Sequence, residues 1–414
     1  MQQTKTAKEK KLVGSFAFLL LMLFPIASLT PALTGISTEF VGLVFACSIP
    51  ALLYFIFSKQ DRLFLACVLF SAIYVAIMVV YKVIGKSSCE WFWLASYFCW
   101  IGISIISFSS LKTLDRRRLH FLLFAVSIVE IVNEIVLLIA STALINTNAG
   151  VEVAITQYGT MLIFYAAISL VWVLKEKSIW VLLINSIGIF LSFYINAFIL
   201  QRATNVIIFV MAVILIFVFQ GKKDVGRRGF IFTCVAFFVV LFSLGTGVFE
   251  ALMTAVIDAV DSPRIADRFE AILVFLRTGN IEEAGGFSGR YDLIAQSFST
   301  WLSSPVSFLF GVGDHRFDNT LVGNHSDIID SLARYGLFGS ALLFGILVSH
   351  FAIMRRELFA TNNNSLRYQI LGVFFLFVLR NVIGNSFITY VSVPVYFYAM
   401  CLVYYQRSSG GRRL

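Results

Sequence analysis

A polar stretch from Asp258 to Arg334 holds most of the side chains in this sequence that could carry out chemistry. It contains eleven Asp or Glu, six Arg, no Lys and two of the four histidines. Most other segments are apolar, so a reaction that needs water, charge and a titratable group has few other places to occur. We therefore predict that this stretch, called here the polar island, forms the active face of an enzyme.

His325 is the leading candidate for proton transfer. It lies between Asn324 and Ser326 at the predicted start of a helix, with Asp327 close in sequence. An imidazole has an ordinary pKa of about 6.5, so it can accept a proton from a hydroxyl group near neutral pH. The alternative is a histidine that caps the helix or bonds a loop carbonyl.

Two arginines are candidates for binding an anionic substrate. Arg290 follows Ser288-Gly289 at the start of an amphipathic segment, and Arg202 lies in a tight connection between two apolar segments. Guanidinium groups suit diphosphates because they stay charged and offer forked donors. The alternatives are a solvated surface arginine for Arg290 and an arginine that reaches a lipid phosphate for Arg202.

Ionisable residues also interrupt two apolar segments. Glu130 and Glu134 are one helical turn apart with Asn133 between them, and Arg380 is followed by Asn381. Buried charges in a membrane are costly and usually mark a functional site or an internal pair. We expect Arg380 to face a substrate cavity or to pair with one of the two glutamates.

Motifs for other chemistries are missing from the sequence. We find no phosphate-binding Walker loop, no HExxH, no nucleophile elbow and no Cys/His cluster,. Five of the six cysteines lie in apolar stretches, and no CxxC pair or disulfide framework is visible,. No metal or cofactor is predicted.

The elements that must position these residues are transmembrane helices. Hydrophobic residues make up 59% of the sequence and charged residues 13%, against about 25% charged in a soluble protein. Apolar windows near the span length of about 20 residues predict an all-α polytopic membrane protein with about twelve transmembrane helices. They lie at residues 13–34, 38–57, 63–84, 91–111, 121–144, 161–174, 179–200, 205–220, 230–256, 335–354, 368–386 and 388–406. The first is predicted as an uncleaved span because it exceeds a signal-peptide core.

Basic residues mark one side of this topology. With the N-terminus inside, alternate connections carry Lys or Arg: Lys59 and Arg62; Arg116, Arg117 and Arg118; Lys175 and Lys177; Lys222, Lys223, Arg227 and Arg228; Arg355, Arg356 and Arg367; Arg407, Arg412 and Arg413. This agrees with the positive-inside rule, so both termini are predicted cytoplasmic and the island outside. It also accounts for the net charge of +9 without a nucleic-acid partner.

The chain is thus predicted to have three parts: helices 1–9 in residues 1–256, the external island in 257–334, and helices 10–12 with a cytoplasmic tail in 335–414. Within the island, apolar spacing predicts amphipathic helices from Arg264 to Arg277 and from Arg290 to Ser303. Gly311 and Gly313 predict a turn, and a further helix is predicted to start near His325. The longest other external connection is predicted from Asn146 to Thr160.

The order of these motifs resembles the bacterial superfamily of Wzy-type O-antigen or capsule polymerases and WaaL-type O-antigen ligases. Twelve spans with one large late external loop match its architecture, and Arg202 matches an arginine that opens an apolar helix at an external turn. His325-Ser326, followed after nine residues by Gly336, is similar to its most specific pattern. Ser288-Gly289-Arg290, followed by Trp301, Pro305 and Gly311-Val-Gly313, is similar to the family's succession of an arginine, a proline and then glycines.

The resemblance implies a GT-C-like membrane glycosyltransferase with a large helical periplasmic loop in the bacterial inner membrane. It implies undecaprenyl-diphosphate-linked glycans as donor and acceptor, metal-independent chemistry, and a chain-length regulator and a flippase as further partners. His325 would be the base for the acceptor hydroxyl or would orient it. Arg202 and Arg290 would bind the diphosphate and stabilise charge on the leaving group. Further candidates for binding sugar or holding the loop, which the family's motif does not place, are His315, Arg316, Asp327 and Asp330.

Three functions stay open at this point. A polymerase and a ligase would share donor and fold and differ in the acceptor. The nine-residue gap before Gly336 is more typical of a ligase, whereas the Asp residues after His325 and the run Ala333-Arg334-Tyr335-Gly336 resemble polymerases, which we favour. A flippase for lipid-linked oligosaccharide is the third, and would be favoured if Glu130, Glu134 and Arg380 were the essential charges. The single large island and the lack of a two-half repeat argue against a transporter.

Overall fold

The structure of the protein is a computed structural model. It describes residues 62–86, 111–144, 149–200, 203–220, 288–313, 321–323, 326–361, 363–383 and 388–410, and the single positions 254, 267, 270, 273 and 274. Every regular element within these ranges is helical. The prediction of an all-α protein is therefore confirmed for the described part of the chain.

The described residues contain ten α-helices. They are α1 (Arg62–Val83), α2 (Arg116–Leu144), α3 (Ala149–Val173), α4 (Ile179–Tyr194), α5 (Ala203–Val218), α6 (Ser288–Leu302), α7 (Pro305–Phe310), α8 (Asp327–Phe359), α9 (Asn364–Ile383) and α10 (Ile388–Gly410). A 3₁₀ turn at Leu111–Thr113 precedes α2, and a π-helical turn at Ile195–Ile199 extends α4.

Four helical segments are long and apolar enough to cross a membrane. They are Leu65–Val83, Arg116–Leu138, Ile179–Ala197 and Asp327–Phe359, each close to or beyond the length of about 20 residues that a bilayer requires. By helix length and hydropathy, the chain is a multi-pass membrane protein. Eight predicted spans coincide with described helices; the other four, at 13–34, 38–57, 91–111 and 230–256, fall outside the described residues apart from isolated positions. The count of twelve stays a prediction.

Two features differ from the sequence-based expectation. The connection predicted from Asn146 to Thr160 is largely helical, because α3 begins at Ala149. Polar residues there lowered the apolar signal without breaking the helix. The short helix α7 was not predicted, whereas α6 and α8 begin within two residues of the predicted starts. Of the amphipathic helix predicted from Arg264 to Arg277, the structure describes four positions, and all four are helical.

Helices α3 and α10 form the centre of the bundle. Residues 161–168 of α3 and 395–405 of α10 are buried without exception, and α3 packs against α4, α5, α9 and α10. Large apolar side chains of the outer helices point away from the bundle, among them Leu69, Trp180, Phe190 and Phe217. An outward apolar face costs little against lipid tails, since they are as apolar as the side chains.

One end of the bundle holds several of the basic residues that the sequence predicted to share a side, among them Lys175, Arg356 and Arg407, together with Lys112. The carboxylate of Glu357 on α8 is contacted by Lys112 Nζ at 3.0 Å, Arg407 NH1 at 2.7 Å and Arg356 Nε at 3.3 Å. Lys175 donates to Ser365 Oγ at 2.9 Å at the same end. These contacts join the ends of α8, α9 and α10 to the connections before α2 and after α3. We call this region the basic end.

The Glu357 cluster predicts a specific loss of stability. The side chain is 6% exposed and its three partners are 39–49% exposed. Glu357→Gln leaves these partners without their carboxylate, so we expect a loss of about 1–3 kcal/mol, measured by thermal denaturation in detergent micelles. Lys112→Gln removes only one exposed partner and should cost less than about 1 kcal/mol. Equal losses for the two variants would contradict a central role for the carboxylate.

Candidate functional site

The structure describes some of the sequence-predicted site residues and not others. Arg202, His315, Arg316 and His325 lie outside the described residues, as does the side chain of Arg290, whose backbone is in the first turn of α6. The side chains of Asp327, Asp330 and Arg380 are described and buried. The site is therefore built from the segments that flank His325 and Arg202.

The Gly311-Val-Gly313 segment of the island contacts the following helix, α8, next to Gly336. The amides of Val312 and Gly313 donate to the carbonyl oxygens of Ala333 and Arg334, each at 2.9 Å. In an unbroken helix those carbonyls would accept from amides four residues later. They are available here because α8 is interrupted at Gly336, which has φ 63° and ψ −168°.

This contact leaves no room for side chains at the glycines. A Cβ on Gly311 would lie 2.2 Å from the carbonyl oxygen of Arg334, and a Cβ on Gly336 would lie 2.4 Å from that of Leu309. Both glycines also have positive φ, in the left-handed region that other residues rarely adopt,. The segments that carry Gly311 and Gly336 therefore pack directly against each other through their backbones.

The same contact rests on the end of α1. A Cβ on Gly313 would lie 2.0 Å from the carbonyl oxygen of Lys86, directly after α1. The hydroxyl of Tyr81 donates to the carbonyl oxygen of Phe310, and the ring of Tyr74 packs edge-on against Tyr335 with centroids 5.7 Å apart. The island is therefore fixed to a predicted membrane span that lies far away in sequence.

A second set of hydrogen bonds fixes the start of α8. Ser326 is the N-cap: its hydroxyl oxygen accepts from the amide of Ile329 at 3.3 Å. The carboxylate of Asp330 accepts from the Ser326 amide at 2.9 Å, a reciprocal cap that resembles a capping box,. Its other oxygen accepts from the hydroxyl of Ser297 on α6 at 2.6 Å. Asp330 therefore joins the start of α8 to α6.

Ser297 extends this network to the loop before α8. Its hydroxyl oxygen accepts from the amide of Gly323 at 2.8 Å, and a Cβ on Gly323 would lie 2.0 Å from the carbonyl oxygen of Leu293 on α6. Positions 323 and 326 are thereby held on either side of Asn324-His325. We call these bonds, together with the contact between the segments that carry Gly311 and Gly336, the island framework.

The framework relates several candidate residues to one another. Arg290 lies one helical turn before Leu293, so the first turn of α6 lies close to Gly323. Asp330 is 0% exposed and both of its carboxylate oxygens are used; of the two roles expected for it, these contacts are those of a residue that holds the loop. Asp327 is also buried, in the first turn of α8.

Trp301 and Pro305, which the resemblance singled out, stabilise the connection between α6 and α7. Ser304 caps α7 by accepting from the amide of Ser307 at 3.0 Å, and Pro305 occupies the first helical position, where its missing amide hydrogen is not needed. Trp301 donates to the carbonyl oxygen of Phe308 at 3.0 Å and stacks on its ring, with centroids 5.0 Å apart. These contacts fold α7 back along α6.

Arg380 belongs to a separate hydrogen-bond network at the start of α5, the helix that follows Arg202. Its Nε donates to Asn205 Oδ1 at 3.0 Å, and Asn205 Nδ2 donates to Asn196 Oδ1 at 2.8 Å. Asn205 follows Arg202 by three residues, so Arg380 supports the start of α5. Among the described residues, no ion pair joins Arg380 to Glu130 or Glu134, and the expected pairing with a glutamate is not observed.

Sequence reasoning missed the polar residues that make these connections. Ser297 lies among the apolar residues Ile294, Phe298 and Trp301 of α6, and a small polar residue on an apolar helix face is a signal that could have found it. Asn205 opens α5 among polar residues, and nothing in its local pattern indicates a partner on α9. Long-range partners of this kind require the tertiary structure.

Comparisons with known proteins do not assign the chain. A scan against models of protein families finds none that matches, and a search of curated proteins finds no similar sequence.

The glycine contact predicts a large cost for one added methyl group. Gly311→Ala introduces both an unfavourable φ and a clash with Arg334, so we expect a loss of at least about 2 kcal/mol, measured by thermal denaturation in micelles. Gly85→Ala is the matched control, since Gly85 has φ 75° but no atom within 4 Å of its Cβ position. It should show only the cost of the strained φ, about 1–2 kcal/mol. If Gly311→Ala were no worse than the control, the backbone contact would be disproved.

The Asp330 network predicts a local effect on the segment that carries His325. Asp330→Asn places an amide NH₂ group next to one of the two hydrogen-bond donors, the Ser297 hydroxyl or the Ser326 amide. We therefore expect a loss of about 1–3 kcal/mol in the free energy of unfolding and faster proteolytic cleavage between residues 313 and 326. Asp292→Asn on α6 changes an exposed carboxylate and should leave the cleavage rate unchanged. Unaltered cleavage in Asp330→Asn would show that the loop is held by other contacts.

Proposed function

We propose that this protein is a membrane glycosyltransferase that polymerises undecaprenyl-diphosphate-linked oligosaccharide repeat units into O-antigen or capsular polysaccharide. The observation that carries the proposal is the island framework. Positions that the resemblance singles out, Gly311, Gly313, Ser326 and Gly336, take part in one set of backbone contacts and caps around Asn324-His325. A random coincidence of short motifs would give no reason for them to meet.

General-base catalysis requires a base in a defined position. A base must lie within hydrogen-bonding distance of the hydroxyl proton that it removes, and small displacements are costly in rate. Residues 323 and 326 are each fixed by hydrogen bonds to α6 or α8, which limits the path of the two residues between them. Fixed residues on both sides of His325 support the proposal that His325 acts as the base.

The proposed reaction uses the arginines and the histidine in separate roles. The acceptor hydroxyl oxygen forms a bond to the anomeric carbon of the donor sugar, and the bond from that carbon to the diphosphate oxygen breaks. His325 takes the hydroxyl proton, and the diphosphate leaves with the bonding electrons. Arg202 and Arg290 stabilise the negative charge on the leaving group by charge-assisted hydrogen bonds.

The membrane explains why such a site would be at the edge of a helical bundle. A polyprenyl tail stays in the bilayer while its diphosphate lies at the membrane surface. The proposal therefore puts the island on the periplasmic face of the bacterial inner membrane, with both termini in the cytoplasm. The basic end, where Lys112, Arg356 and Arg407 surround Glu357, supports this orientation because basic residues favour the cytoplasmic side,.

A transporter of lipid-linked oligosaccharide is the second candidate. It is favoured by one observation, the burial of Glu130, Asn133 and Glu134 inside the bundle, since polar groups within a span often line a transport path. An O-antigen ligase would use the same donor chemistry with a different acceptor. The three functions leave different glycans on the carrier lipid.

Deletion of the gene, complemented with wild type or with His325→Ala, tests the proposal. For a polymerase we expect surface glycans of single repeat units, or loss of capsule, with short lipid-linked units accumulating; both are read by gel sizing and by extraction of lipid-linked glycans. His325→Ala should lower polymer formation by about 10²-fold or more, the usual contribution of a general base. Asp292→Asn is the expressed control that should restore polymer fully.

Other outcomes reject the proposal in different ways. Long polymer that stays on the carrier lipid would identify a ligase. Full complementation by His325→Ala, with short units trapped at the cytoplasmic face when Glu130 and Glu134 are replaced, would identify a transporter. Normal surface and lipid-linked glycans in the deletion strain would exclude this class of function.

A further inference from the structure

A cluster of polar side chains lies inside the bundle, away from the island. Glu130 and Glu134 of α2 are 1% and 0% exposed. One oxygen of Glu130 accepts from the hydroxyl of Ser169 on α3 at 3.4 Å, and one oxygen of Glu134 accepts from the hydroxyl of Ser192 on α4. Both carboxyl groups are therefore part of the packed interior.

The second oxygen of each carboxyl group is buried without a hydrogen-bond donor. This holds for Glu130 Oε1 and Glu134 Oε2 among the described residues. No described Lys, Arg or His forms an ion pair with either group; the ion pairs of this part of the chain are at Glu357. Two negative charges one helical turn apart would be very unfavourable here. Since no described basic side chain neutralises them, at least one of the two groups is expected to carry a proton,.

The surrounding groups can both donate and accept. The hydroxyl of Tyr398 on α10 lies 2.8 Å from Ser169 Oγ and 3.2 Å from Ser127 Oγ, and Ser127 donates to Asn185 Oδ1 at 2.9 Å. Hydroxyl groups can reverse their hydrogen-bond direction when a neighbour gains or loses a proton. The cluster can therefore accommodate two protonation states without repacking.

One face of α4 continues the cluster towards the island end of the bundle. Asn185, Ser192 and Asn196 are buried and lie on one face of the helix, over a distance of about 16 Å at a rise of about 1.5 Å per residue. Gly188 lies on the same face, where an added Cβ would be 3.9 Å from Glu130 Oε2. Asn196 then bonds Asn205, which bonds Arg380. Polar groups thus connect the carboxyl pair to the outer end.

We propose that Glu130 and Glu134 form an intramembrane proton-binding site, in which two carboxyl groups hold one exchangeable proton between them. The elements packed around the pair present Ser169 from α3, Ser192 and Asn185 from α4, and Tyr398 from α10. At the far end of this polar face, Arg380 donates to Asn205 and Thr160. Among the described residues, no Lys, Arg or His forms an ion pair with either glutamate, so the pair itself holds the proton.

This site is independent of the proposed glycosyl transfer. Its contacts involve α2, α3, α4 and α10, whereas the island framework involves α1, α6, α7 and α8. A proton-binding site in the bundle would make the protein sensitive to pH. It would do so whether the island polymerises glycan or not.

Infrared spectroscopy of the purified full-length chain in nanodiscs of uncharged lipid tests the proposal. At neutral pH we expect a carbonyl band from one protonated carboxyl group per chain, which shifts in D₂O and disappears on titration to alkaline pH. Glu130→Gln and Glu134→Gln should each move or weaken this band, and the double variant should lack it. Glu176→Gln, at the basic end, is the matched control and should retain it.

Two results would overturn the proposal. One is the absence of the band in wild type, which would mean that both groups are ionised; the other is a band of two carboxyl groups that neither titrates nor shifts in D₂O. If the variants fail to fold, dicyclohexylcarbodiimide labelling of wild type gives a second measurement, since it modifies protonated carboxyl groups in apolar surroundings. Mass spectrometry should find the label on Glu130 or Glu134 and not on Glu357; label on Glu357 alone would contradict the assignment.

Discussion

The backbone contact between residues 311–313 and the interruption of α8 is the constraint on which the island depends. Two amide-to-carbonyl bonds hold it, and they exist because Gly336 leaves helical geometry and frees the carbonyls of Ala333 and Arg334. A helix that ran without this break would use those carbonyls internally and offer nothing to the loop. The interruption of α8 thus frees two carbonyl groups at the start of a predicted membrane span, and the island binds to them.

Two further sets of contacts extend from this one. Towards the membrane, Tyr81 and the end of α1 support the loop. Towards the island, Asp330 and Ser297 bind α8 to α6. A polar segment of a largely apolar protein has little core of its own, so it gains fixed geometry from hydrogen bonds to the helices that it contacts. This arrangement suits the proposed site, whose substrate would have one part in lipid and one part in water.

Sequence reasoning succeeded where the physical signal is local and failed where it is not. Apolar windows found α1, α4 and α9 because each span must be apolar over its whole length. The glycines at 311 and 336 were recognised as a pattern, but not as partners, because nothing local shows that a loop and a helix interruption will meet. Ser297 and Asn205 were missed for the same reason: each has an ordinary local context and a partner on a distant helix.

Amide hydrogen exchange at Val312 and Gly313, measured on the full-length chain in nanodiscs, tests the central claim most directly. If the island is held by backbone bonds to α8, both amides should exchange as slowly as those of α1, and the 326–331 peptide should be protected with them. Exchange as fast as that of an unstructured peptide at Val312 and Gly313, with α8 still protected, would show that the island is not fixed to the break at Gly336 and would contradict the account.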